Sequence, residues 1–186
     1  MSTVNYIQEM VTRFRAILDA HDKHLECFCR YGVQVEGWLK GELLYFLDSE
    51  KAAGRLVDFE REALCGIGKK KVDLRLEIIT STAASNVVWI ELKHWLIGYQ
   101  KGERWQAHNY FGDKDIGIHS DVEKLSSIIK GDKYELILST QNPGYEDWSK
   151  GVDKFNKKFK PLHVRSCIET SDFPPSYYIG VLEVIS

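Results

Sequence analysis

Asn86-Val-Val-Trp-Ile-Glu-Leu-Lys-His-Trp-Leu96 is apolar and β-branched except where it carries Glu91 and Lys93. Such composition reads as a strand. Side chains on a strand alternate between its two faces, so Glu91 and Lys93 share a face and Leu92 takes the other. A carboxylate and an ammonium in a buried strand lose hydration and need a partner. A divalent cation together with a phosphate would serve as one.

The sequence before this stretch pairs with it. Lys71-Val-Asp-Leu-Arg-Leu-Glu-Ile-Ile79 alternates, with Val72, Leu74, Leu76 and Ile78 on one face and Asp73, Arg75 and Glu77 on the other. The small polar residues Thr80 to Ser85 make a hairpin loop, so the strands at 71–79 and 86–97 are antiparallel neighbours. Asp73 then faces the later part of the next strand, where Glu91 and Lys93 lie. Arg55 to Leu64 partly alternates and reads as a third strand, followed by a basic turn carrying Lys69, Lys70 and Lys71.

Helices flank these strands. Ile7, Met10, Val11, Phe14, Ile17 and Leu18 recur at helical spacing and predict a helix over 3–19, capped by Thr3 or Asn5. Val35, Leu39, Leu43, Phe46 and Leu47 predict a second over about 33–49, with Glu42 among them. Residues 98–118, rich in glycine, aromatic and charged residues, lack a period and read as a long loop. Ser120-Asp-Val-Glu123 is a capping-box pattern opening a helix whose apolar side is Leu125, Ile128 and Ile129, ending at Gly131. Tyr134 to Ser139 reads as a short buried strand, 145–160 as a helix with a lysine-rich face, and 162–168 and 177–185 as two final strands.

The chain has 186 residues and a formal net charge of −2, which suits one domain without a global field that attracts polyanions. Its apolar runs fall short of a membrane span, and the N-terminus lacks a signal-peptide pattern, so a cytoplasmic protein is expected. Cys27, Cys29, Cys65 and Cys167 lack zinc-type spacing and read as free thiols. His21 and His24, close in sequence to Cys27 and Cys29, fit no common zinc motif either.

Glu91-Leu-Lys93, preceded by a strand with Asp73 and a helix with Glu42, resembles the PD-(D/E)XK nucleases, the restriction-endonuclease-like superfamily. The resemblance covers about residues 33–140 and departs from the motif in having Val72, not proline, before Asp73. It implies an α/β fold with an αβββαβ core, a mixed central sheet flanked by helices in one domain, to which the 3–19 helix and the chain after 141 are additions. It also implies a Mg²⁺- or Mn²⁺-dependent nuclease acting on DNA in restriction, repair or defence. Asp73, Glu91 and the Leu92 carbonyl would bind the cation. Lys93 would hold the attacking water and offset phosphate charge, and Glu42 would orient water or bind the cation. Lys69, Lys70, Lys71 and Gln106 are candidate nucleic-acid contacts. The alternative is a catalytically inactive module of the same fold that binds protein or nucleic acid. Aromatic residues at 98–111 and 145–159 would be its exposed surface, and a homodimer would suit them.

Overall fold

The structure, a computed structural model, describes residues 2–66, 68–79, 85–100, 103–112 and 117–185, with the backbone alone for 98–100 and 103–105. The hairpin loop expected at 80–85 lies, but for Ser85, outside the described residues. A six-stranded mixed sheet has strands β1 (Asp58–Leu64), β2 (Lys71–Ile79), β3 (Ser85–Trp95), β6 (Asp132–Ser139), β7 (His163–Ser166) and β8 (Tyr178–Ile185). Their spatial order is β1-β2-β3-β6-β8-β7, and β3 and β6 are the parallel pair. Two short strands, β4 (Gly98–Gln100) and β5 (Glu103–Trp105), form a separate hairpin. Five α-helices accompany them among the described residues: α1 (Thr3–Ala20), α2 (Asp22–Tyr31), α3 (Glu36–Ala52), α4 (His119–Ser126) and α5 (Tyr145–Lys158). From α3 to β6 the order of the sheet strands and longer helices is α-β-β-β-α-β, and the β3-α4-β6 connection supplies the crossover that a parallel pair requires. None of these helices is long and apolar enough to cross a membrane.

The helical stripe of α1 buries Ile7, Met10, Val11, Phe14 and Leu18, and Phe14 meets Phe46 of α3 at 5.4 Å between ring centres. Its cap is Ser2, which accepts from the Asn5 amide, rather than Thr3 or Asn5. Residues 22–31, without a clear sequence period, are helical and end on Gly32 in the left-handed region. Helix α4 differs from its expected form. It starts at His119 and ends at Ser126, its first residue follows Ile118, and no side chain caps it. Ile129 lies beyond its end and is exposed.

The stretch read as a loop is only partly one. Beyond the β4–β5 hairpin, a 3-10 turn at Ala107–Asn109 leads Tyr110 and Phe111 into the core. Tyr110 stacks on Trp95 at 5.1 Å and Phe111 meets Trp148 at 5.3 Å. Trp148 of α5 lies so close to β8 that a Cβ on Gly180 would run into its ring. Of the aromatic residues that would have formed an exposed binding face, Tyr110, Phe111, Trp148 and Phe155 are buried in the core and Phe159 is half-buried, whereas Tyr145 is exposed. The side chains of Tyr99 and Trp105 are outside what the structure describes.

Candidate active site

The site lies where the sheet forks. Strand β2 stays paired with β1 as far as Leu64↔Lys71, and β3 stays paired with β6 as far as Trp95↔Ser139. Between β2 and β3, however, the ladder stops at Leu74↔Ile90. Beyond that pair the Leu92 amide has no strand partner and would be an orphan donor in a buried place. The Asp73 side chain takes the missing position: its Oδ2 accepts from Leu92 N at 2.9 Å. The carboxyl of Asp73 is thereby fixed in the fork, across from Glu91 and near enough for its charge to act on it.

Two helices close on this point from opposite faces. His94 points toward the start of α3, where it meets Gln34 at 2.8 Å and the Val35 amide at 3.4 Å. Lys93 points the other way, to Asp121 of α4 at 2.6 Å. From α3, Lys40 reaches Asp73 Oδ1 at 2.9 Å and also pairs with Glu36 at 2.9 Å. From α4, Lys124 Nζ lies 2.5 Å from Glu91 Oε1. That contact is off hydrogen-bonding alignment, so the oxygen has a close charge without a directed donor.

The electrostatics follow from burial set against these partners. Burial pushes the Glu91 carboxyl up to about 8; Lys124 opposes the rise, and the charges of Asp73 and Asp121 add to it. Asp73 is also penalised by burial, but the Leu92 amide, Lys40 and Glu91 outweigh that and hold it below its ordinary value. Lys93 would lose its proton more readily through burial alone. Asp121 more than offsets this, and the ammonium holds its proton above the usual lysine range. Burial lowers His94 to about 4, which keeps the imidazole neutral.

Of the residues anticipated from sequence, Asp73, Glu91 and Lys93 come together, with the Leu92 backbone between them. Glu42 does not join them. It is half-buried on α3, two residues from Lys40 and so about 200° around the helix. Among the described residues no hydrogen bond or ion pair links it to the fork. Glu36, one turn before Lys40, is the α3 carboxylate whose charge is felt at Lys93 and His94. Lys69 and Lys70 are exposed in the β1–β2 turn, and Lys71 is held by Glu62 at 3.3 Å. Gln106 is exposed at the start of the 3-10 turn. His21 and His24 stack on each other at 5.4 Å, and all four cysteines are free.

Sequence reasoning missed Lys40, Asp121, Lys124 and Glu135. Glu135 of β6 stands beside Glu91 in parallel register and is fully buried. Its signal was the same as that of Glu91, a carboxylate inside an apolar strand. The α4 pair Asp121 and Lys124 looked like an ordinary helix surface.

The arrangement suits a small hard cation. Mg²⁺ takes one or two protein carboxylates and fills its remaining positions with water or phosphate. Asp73 and Glu91 could supply such a pair, and burial disfavours charge on Glu91 more than Lys124 restores it. Among the described residues no three His, Cys, Asp or Glu side chains converge as they stand. Lysine ammonium groups are the positive charges at both carboxyls. No family model matches the chain, and neither does any curated protein or solved structure.

Proposed function

We propose that this protein is a Mg²⁺- or Mn²⁺-dependent nuclease with a restriction-endonuclease-like core, hydrolysing phosphodiester bonds with DNA as the expected substrate. The observation that carries the reading is the fork: two carboxyls opposed at the point where β2 and β3 part, with an ammonium one step along β3. Order of elements supports it, since a helix, three strands, a crossover helix and a parallel strand are what that core requires. A divalent cation held by Asp73 and Glu91 would supply neutralising charge to the scissile phosphate. Lys93, kept protonated by Asp121, would add a second positive charge to the phosphoryl oxygens and donate a hydrogen bond to the attacking water. The Leu92 carbonyl adds an oxygen donor between the two side chains. Glu36 is better placed than Glu42 to act on this region from α3.

The test is incubation of the purified protein with single-stranded, duplex and branched DNA, and with RNA, in the presence of Mg²⁺ or Mn²⁺. Cleavage is expected in wild-type protein, with a loss of about a hundredfold or more in Asp73→Ala and Lys93→Ala. Cleavage that persists unchanged in both variants would falsify the assignment. Mn²⁺ uptake without cleavage of any of these substrates would favour the inactive-module reading.

A further inference from the structure

We propose that Glu135 is a third carboxylate of the cation site, swinging in when a divalent cation enters the fork. This rests on the cation reading above. Glu135 has 0% of its surface exposed, and neither of its carboxyl oxygens has a hydrogen-bond partner among the described residues. A carboxyl buried without a donor is costly to the fold, so a purely structural role is hard to support. Its position is equally specific. Glu135 is the register partner of Glu91 on the adjacent parallel strand, so both project from one face of the sheet. The charges that act on it are those of the site: Asp121, Glu91, Lys93 and Asp73.

The charge inventory agrees. Around the fork, the carboxyls of Glu36, Asp73, Glu91, Asp121 and Glu135 face the ammonium groups of Lys40, Lys93 and Lys124. With Glu91 and Glu135 both driven by burial to hold a proton, the remaining three carboxylates balance the three ammonium groups, and a divalent cation would take the place of those two protons. Lys124 draws Glu91 toward α4. Opening that contact is the movement that would let Glu91 and Glu135 turn to a common ion with Asp73.

The test is Mn²⁺ binding by calorimetry on wild-type protein, Glu135→Gln, Glu135→Asp and Asp73→Asn, with melting temperature recorded with and without Mn²⁺. The near-isosteric Glu135→Gln is expected to weaken Mn²⁺ at least tenfold and to lose most of the Mn²⁺-induced rise in melting temperature. Its cation-free melting temperature should stay level or rise, which a structural carboxyl would not allow. Glu135→Asp keeps the charge on a shorter arm and should fall between, which preserves the test if the glutamine variant folds poorly. Unchanged Mn²⁺ affinity in Glu135→Gln, with affinity lost in Asp73→Asn, overturns the role of Glu135 and leaves the cation site standing. A cation-free melting temperature lowered by several degrees in Glu135→Gln overturns it as well. Wild-type protein that takes up no Mn²⁺ overturns both readings.

Discussion

Glu91 should make the cation-free protein lose stability as the solution turns alkaline. In the folded protein its carboxyl holds a proton up to about 8, whereas an exposed glutamate releases it near 4.5. Between those values the folded state binds the extra proton, so stability is complete below about 4.5 and declines as pH rises through 8. Linkage gives about 3 kcal/mol lost between pH 6 and pH 9, at ~1.4 kcal/mol for each pH unit over which the two states differ by one proton. For a chain of this size that amounts to about 5–10 °C in melting temperature. The assay is thermal unfolding in chelator at pH 6 and pH 9 for wild-type protein and Glu91→Gln. Glutamine keeps the shape and cannot titrate, so the difference between the two proteins isolates this side chain from Glu135 and the tyrosines. Adding Mn²⁺ at pH 9 should restore the wild type and leave the variant where it was. Equal losses in the two proteins would refute the reasoning, because they would mean that Glu91 is already ionised at pH 6.

If Asp73 and Glu91 hold a cation, Lys124 competes with it for Glu91, so Lys124→Met should raise Mn²⁺ affinity by about 1 kcal/mol, roughly fivefold, in the same calorimetric titration. Glu36→Gln should weaken Mn²⁺ binding severalfold while Glu42→Gln leaves it within about twofold, since the first lies one turn from Lys40 and the second does not face the fork. Gly180→Ala should cost about 1–3 kcal/mol in denaturant unfolding, because the new methyl group collides with the Trp148 ring and the packed rings around it have little room to yield.

The strands that make the fork were legible because their patterns are local. Alternation placed Asp73 on one face of β2, and the apolar run of β3 made Glu91 and Lys93 conspicuous. The helix side of the site was not legible in the same way. Glu42 lies among the apolar residues of α3, but which flank of a helix meets the sheet is decided by packing, and the winning signal was the spacing of Glu36 and Lys40. Asp121 and Lys124 were hidden for a related reason. A charged pair three apart on a helix reads as solvated surface, and only the crossover from β3 to β6 turns it onto Lys93 and Glu91. The capping box expected at Ser120 fails in the same segment: Asp121 is held by Lys93, and the chain enters the helix through buried Ile118.

What sets this site apart from an ordinary ion-pair network is the place where the ladder was given up. A central strand usually satisfies its amides through its neighbours. Here β3 exchanges one such bond for the carboxyl of Asp73, and the sheet opens where the acids gather. A network that served stability alone would gain by closing the ladder and replacing Glu135 with an apolar residue, since buried ion pairs seldom outperform apolar packing of the same volume. Instead, the fork buries Glu91 and Glu135 so that both hold a proton, and leaves Glu135 without a donor among the described residues. Buried carboxyls perturbed in this way are characteristic of sites tuned for a ligand, and on the proposed reading a divalent cation would displace both protons.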